Sequence, residues 1–389
     1  MVVVLGASLV AAGGGISSAS TGRGPAKAKA AAPIVFMTIG SFNNPIISFP
    51  QVETAVTARV KAINAAGGVN GHRLQPIFCD DQGDPNLASA CARQAGQDHA
   101  VAVVGGATTQ ASSIFPILTA ENIPWIGGSG TSGPIELTDP ISFPINGGSP
   151  AASIGLGHTL VQHGGTKPVI ITISSAAALN GANQVLAGVT GAGGNGTIVT
   201  AALSTVDFSA VVATALAGSP NAVALVVAPT QAASVVQSLR QAGFTGLIGT
   251  LSTALSVPSI QQLGSAANGI LLTYRMIPTT ETRNPTVSQF IKEMKRQNSN
   301  VLIDETGFNS WTAVNFFAAI AGKVRPLSGT RIMSYLNHLT TPIRLNSVPA
   351  WGSLKAPSEF PRARNFVTII GQVKKGAIVQ IGTFYDPLK

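Results

Sequence analysis

The apolar positions along this chain recur in two alternating rhythms. "IVFMTIG" (34–40) is a continuous apolar run, the pattern of a strand buried on both faces. "PQVETAVTARVKAINAAGG" (50–68) then places Val52, Val56, Val60 and Ile63 on one helical face, and Gly67 and Gly68 supply a left-handed stop. "RLQPIFC" (73–79) predicts the next strand. "DPNLASACARQAG" (84–96) predicts a helix with Asp84 as N-cap and Pro85 at its first position. The strand "VAVVGG" (101–106), a helix over 109–121 that Pro116 should kink, and the strand "IPWIGG" (123–128) complete the series.

A second series starts near Gly147. It runs through the helix "SPAASIGLGHTLVQHGG" (149–165), the strand "PVIITIS" (168–174), a helix from about Leu179, and the strand "GTIVTAALS" (196–204). A helix capped by Asp207, the strand "NAVALVVAP" (221–229) and the helix "QAASVVQSLRQAG" (231–243) follow. "LIGTL" (247–251) and "GILLTY" (269–274) are further strands. Repeated βα units imply parallel sheets with right-handed crossovers. Two helical segments come next, "PTVSQFIKEMKRQ" opened by Asn284-Pro285 and "DETGFNSWTAVNFFAAIAGKV" (304–324), and a β-hairpin turning at Lys375-Gly376 closes the chain.

Composition narrows the class. Charged residues are 10% and hydrophobic residues 45% of the 389, which excludes general disorder and suggests two domains. The net charge of +9 is scattered, and no aromatic residues interleave with the basic ones, so nucleic acid is not an expected partner. "MVVVLGASLVAAGGGISSAS" (1–20) is apolar and rich in small residues, like the hydrophobic part of a secretory signal. Ser17 and Ala19 form a small-x-small cleavage site, with Ala26/Ala28 or Ala28/Ala30 further on. Residues 1–32 are therefore expected to be signal and linker, and the product exported to the periplasm or cell surface. Export and an even count favour a disulfide between Cys79 and Cys91 over two buried thiols.

Reactive motifs are scarce. "GSGTSG" (128–133) follows a strand, but Pro134 comes next and no acidic residue stands ~20 further on to hold a ribose. "GAGGNG" (191–196) lies between a helix and a strand, the wrong order. There is no Walker loop, no H-E-x-x-H and no G-x-S-x-G, and no metal site or cofactor is expected. Asp80 and Asp81 end a strand, where catalytic groups do occur, yet no third carboxylate, His or Lys lies near them. Hydrogen bonds that fix a loop are their expected role, and catalysis the alternative. What remains are Gly/Ser/Thr turns at strand ends: 105–110, 127–133, 174–181, 228–231 and 250–256. These suit hydrogen bonding to a small molecule rather than bond breaking.

Taken together, "INAAGGVNGHRL", "CDDQGDPNLASACARQ", "VAVVGG", "IPWIGGSGTSGPIELT" and "LRQAGFTG" resemble the type I periplasmic binding proteins, in the leucine/isoleucine/valine-binding branch of ABC importers. The resemblance covers about 33–385. It implies an α/β fold of two Rossmann-like lobes with parallel sheets, joined by three crossovers, with a ligand in the cleft. Lobe one would be 33–146 with 276–325, and lobe two 147–275 with 326–389. The implied function is an exported solute-binding protein that closes on a small molecule and delivers it to a membrane permease. No enzymatic activity is expected of it. A ligand-sensing receptor of the same fold is the alternative.

The family holds a ligand carboxylate with Ser/Thr and backbone N–H groups after the third strand, where Thr108 and Thr109 stand. Its turn after the fourth strand matches Ser129, Gly130 and Thr131. In lobe two the position of the usual Tyr is Asn180, and the stretch that usually carries an ammonium-pairing carboxylate is "TLSTALS", without an acid. A buried unpaired ammonium costs several kcal/mol. The expected guest is therefore a small carboxylate that is not a standard α-amino acid. Its lobe-two contacts would be Asn180, Thr230, Gln231, Ser252 and Thr253, with Phe42 adding apolar contact.

Overall fold

The computed structural model describes residues 1–4, 31–44 and 48–389. The expected cleavage positions from Ser17 to Ala30 lie outside the described residues. The body discussed below is Ala32–Lys389.

The first sheet is parallel, in the order β2-β1-β3-β4-β5, with β1 Ile34–Gly40, β2 Leu74–Asp80, β3 Val103–Val104, β4 Trp125–Ile126 and β5 Ser142–Phe143. Helices α1 (Gln51–Ala65), α2 (Pro85–Gln97) and α3 (Ala111–Ala120) follow the first three strands, and a short α4 (Ile135–Thr138) precedes β5. Asp84 caps α2 as the sequence predicts, accepting from the N–H groups of Asn86 at 2.7 Å and Leu87 at 3.0 Å. A Cys79–Cys91 disulfide pins α2 to β2. Strands β3 and β4 are shorter than their apolar runs. Gly127 turns out of β4 at φ +64°, and a Cβ there would lie 2.5 Å from Ala313 Cβ, so the chain bends away where a later helix presses on it.

That helix is α11 (Glu305–Ala321), buried along almost its whole length. It packs with α1, its Phe308 lies 4.8 Å from Phe290 of α10 (Pro285–Gln297), and its Phe317 lies 5.1 Å from Phe36 of β1 with the rings tilted. Helix α12 (Gly329–Asn337), unforeseen in the sequence, adds Ile332 and Leu336 to the same core. Trp351 sits 5.0 Å from Phe316 and donates its Nε1–H to the Pro144 carbonyl. The stretch from α12 to Trp351 thus packs on the first sheet, whereas the sequence reading gave it to the second lobe. The large apolar face of α11 and the ring of Phe143 draw it there.

The second sheet has the order β12-β11-β10-β9-β8-β6-β7. Strands β6 (Pro168–Ile173), β7 (Thr197–Ala201), β8 (Ala222–Val226), β9 (Leu247–Leu251) and β10 (Leu271–Tyr274) are parallel; β11 (Thr368–Lys374) and β12 (Ala377–Tyr385) form the antiparallel hairpin. Its flanking helices are α5 (Gly148–Gln162), α6 (Ala176–Gly191), α7 (Ser209–Leu216), α8 (Pro229–Gln241) and α9 (Val257–Leu263), the last also unforeseen. Helices α5 and α6 touch backbone to backbone: a Cβ on Gly188 would lie 1.9 Å from the Ile154 carbonyl oxygen. The chain passes between the sheets three times, after β5, after β10 and before β11. The result is an α/β fold of two lobes.

Candidate functional site

Asp80 and Asp81 fix a loop. Asp80 Oδ1 accepts from the N–H groups of Phe42 at 2.9 Å and Gln82 at 3.0 Å. Asp81 Oδ1 accepts from Ser41 Oγ at 2.6 Å and Gly83 N at 2.9 Å. These bonds tie the end of β2 to the chain leaving β1. Among the described residues, no group of His, Cys, Asp and Glu could hold a metal ion.

The lobe-one turns are closed on themselves. Thr131 Oγ and Ser132 Oγ both donate to the Thr108 carbonyl at 2.6 Å, and Thr108 Oγ accepts from Gln110 N at 2.9 Å. Glu136, buried behind the 128–133 turn, accepts from Ser132 N at 2.9 Å, Gly130 N at 3.3 Å and Trp125 Nε1 at 3.1 Å. Burial pushes its carboxyl above the usual range, and these three donors pull it back. The N–H groups of Gly130 and Ser132 are thus spent on the protein's own carboxylate. Thr108 and Ser129 are fully buried, Gly130 is buried, and Phe42 belongs to the core with Val52 and Ala107. Thr109 is exposed in the turn before α3; Asn180 is exposed within the second turn of α6, so most of 174–181, read from the sequence as a strand-end turn, is helix. Thr230 and Gln231 line a separate hollow of about 250 Å³ beside Leu203 and Val206, and Gln231 Nε2 donates to the carbonyls of Leu203 and Thr205.

Ser252 and Thr253 are placed otherwise. They line a cavity of about 440 Å³ between the two lobes. From the second lobe it takes the segment after β9, Pro229 at the start of α8, Tyr274 and Ile378. From the first it takes Ser48, Phe49, Gln51 and the entry to α11, Leu302 to Thr306. Asp304 caps α11 through Oδ1, which accepts from Gly307 N at 2.8 Å, and its Oδ2 accepts from Gln51 Nε2 at 2.7 Å. Glu305 is held from two directions: Oε1 accepts from Arg275 N at 2.7 Å and lies 3.4 Å from Arg275 Nε, and Oε2 accepts from Ser252 Oγ at 2.6 Å. Arg275, at the end of β10, also donates Nη1–H to the Ser129 carbonyl at 2.7 Å. Burial pushes the Asp304 carboxyl up to about 6, and the neighbouring Glu305 charge adds to it, against the Gly307 and Gln51 bonds and the Arg275 charge.

The expectation that no acid reaches the cleft is therefore corrected. "TLSTALS" carries none, but α11 brings Asp304 and Glu305 to the same space from the opposite lobe. The sequence reading gave Asp304 and Glu305 no role beyond membership of the helical segment 304–324. The signal available was two adjacent acids at the N-terminus of an otherwise apolar helix.

Residues 39–354 match the family described as periplasmic binding protein. No curated protein sequence matches the chain. Among solved structures, the chain superposes on an extracellular ligand-binding receptor from Verminephrobacter eiseniae with TM-score 0.73 at 16% identity, covering 89% of this chain and 99% of that one. It superposes on the leucine binding protein LivK from Thermotoga maritima with TM-score 0.70 at 16% identity, covering 91% and 99%. A substrate-binding periplasmic protein from Ralstonia solanacearum gives 0.69 at 17%, covering 90% and 100%. These likenesses establish the fold, and their descriptions are of binding proteins rather than enzymes. With the family match spanning most of its length, this chain belongs to the periplasmic binding protein family.

Proposed function

We propose that the chain is an exported solute-binding protein of an ABC importer, capturing a small molecule between its lobes and presenting it to a membrane permease. The observation that carries this reading is the cavity of about 440 Å³, within the size range of small-molecule sites and walled by both lobes. Three chain passages between the sheets allow the lobes to move as bodies, so a guest touching both walls shifts an open–closed equilibrium toward closure. On the packing described above, lobe one is 33–143 with 285–351, and lobe two is 148–274 with 368–385. Ser252 and Thr253 are the proposed contacts already in the cavity. Exposed Thr109, Asn180 and Thr230 are the ones proposed to join on closure.

A carboxylate guest gripped through the N–H groups of Gly130 and Ser132 fits this geometry poorly, since Glu136 already holds both. The test is mass spectrometry of small molecules released by denaturing the purified protein, followed by small-angle scattering with the molecule found. Compaction on adding it is expected. The absence of any released molecule, together with an unchanged radius of gyration across a panel of small solutes, would overturn the reading.

A further inference from the structure

Gln51, on the first turn of α1, is 3% exposed, and its Oε1 has no hydrogen-bond partner among the described residues. Its Nε2 is spent on Asp304. Both side chains line the cavity. A buried oxygen left without a donor costs about 1–3 kcal/mol. Gln51 Oε1 has no accessible surface, so a turn of the side-chain amide toward the cavity is what would present it to a guest.

The charges on the same wall are unequal. Glu305 is bound by Arg275, and the two cancel. Asp304 has hydrogen-bond donors but no cation within ion-pair distance among the described residues. A guest carboxylate would face Asp304 as a like charge. An amide or hydroxyl would satisfy Gln51 and leave the Asp304 charge alone. An ammonium does both. Most of the remaining wall is apolar, with Phe49, Leu255, Tyr274 and Ile303. Val257 and Leu302, 38% and 57% exposed, extend it from opposite lobes toward solvent.

We infer that the cavity takes an apolar primary amine lacking a carboxylate, its ammonium donating to Gln51 Oε1 and Asp304 and its body lying between Phe49, Leu255 and Ile303. The inference rests on the capture reading above and names the class of guest. The groups facing Asp304 are Gln51 from α1, Glu305 on its own helix, and Arg275 after β10, with Tyr274 beside them. Among these, Asp304 is the one that burial holds at about 6, so it is charged at pH 7.5 and largely neutral at pH 5.

Calorimetry on the full chain with 2-phenylethylamine, 3-phenylpropanamide, 3-phenylpropanoate and leucine tests this. The amine is expected to bind at least tenfold more tightly than the other three, and to weaken about tenfold between pH 7.5 and 5 as the Asp304 charge is titrated away. Asp304→Asn keeps a capping oxygen for Gly307, so it should fold; it should bind the amine at least tenfold more weakly and without the pH dependence. Gln51→Met should also weaken binding but keep the pH dependence. No amine binding, an equal or better affinity for the carboxylate or leucine, or an Asp304→Asn affinity equal to wild type would overturn the inference. If leucine or the carboxylate binds with compaction, capture stands and only the amine assignment falls. If no probe binds and no small molecule is released on denaturation, both fall.

Discussion

Ser252 Oγ donates to Glu305 Oε2 at 2.6 Å, and this bond joins the end of a second-lobe strand to the first turn of a first-lobe helix. Glu305 also holds buried Arg275, which reaches the Ser129 carbonyl. The two substitutions therefore differ in cost. Ser252→Ala removes one hydrogen bond to a charged group, about 1.5–3 kcal/mol of lobe-to-lobe attraction, and should leave each lobe folded. The expected readout is a larger radius of gyration by scattering without loss of helix content. Glu305→Gln leaves the Arg275 charge buried without its counter-ion, and denaturant unfolding should show a loss of about 3–5 kcal/mol.

Asp304 gives stability a particular pH dependence. Its folded carboxyl lies near 6, above its ordinary value of 3.8. Between those values the native state holds more protons than the unfolded one, so its contribution falls as pH rises from about 4 to 6 and stays low above. Asp304→Asn removes that penalty. Its amide can still accept from Gly307 N, and Gln51 can turn its unpartnered Oε1 toward the new N–H₂. Relative to wild type, the variant should gain on the order of 1–2 kcal/mol at pH 7.5 and little at pH 4. Chemical denaturation at both values checks the sign. A gain confined to pH 4 would contradict it.

Much of the fold was legible because its elements are punctuated locally. Asp84, Pro85 and Asn284 are helix-entry residues whose chemistry acts within one turn, and each opens the helix it was expected to open; Asp207, expected to cap α7, stands one residue before its N-cap Phe208 and accepts from Ser209 N. The hairpin at Lys375-Gly376 needs two left-handed residues, and both take positive φ. Helix α12 escaped because its amphipathic stripe is brief, and Trp351 because its partners Phe143 and Phe316 are distant in sequence. Of the candidate residues, Ser252 and Thr253 are the ones that line the interlobe cavity, because their turn itself forms a wall. Thr108, Ser129 and Thr131 have the right chemistry, but whether a hydroxyl serves a guest or its own loop depends on which carbonyl lies within 3 Å. For Thr131 and Ser132 that carbonyl is Thr108's.

Glycine supports a paired prediction on the second lobe. A Cβ on Gly188 would meet the Ile154 carbonyl at 1.9 Å, so α5 and α6 must separate to accept Gly188→Ala. Overpacking of this kind costs about 1–3 kcal/mol. Gly191, at the end of the same helix, has nothing within 4 Å of its would-be Cβ. Gly191→Ala should be neutral or stabilising by a few tenths of a kcal/mol, through helix propensity alone. Thermal unfolding of the two variants side by side isolates the contact from the helix preference, and equal midpoints would refute the close-approach argument.

Glu136 holds two N–H groups of the lobe-one turn from its buried side, so the turn's dependence on that carboxylate is testable by removing it. In Glu136→Ala the N–H groups of Gly130 and Ser132 and the indole N–H of Trp125 lose their acceptor in a buried setting. Each unsatisfied donor costs about 1–3 kcal/mol, so the variant should be strongly destabilised and its 130 and 132 amides should exchange faster. Formate, small enough for the vacated space, should restore stability and amide protection in a concentration-dependent way, while leaving the wild type unchanged. Rescue by formate would show that the turn can bind an anion and that the protein keeps it filled from within. Stability equal to wild type without formate would show that Glu136 does not hold the turn.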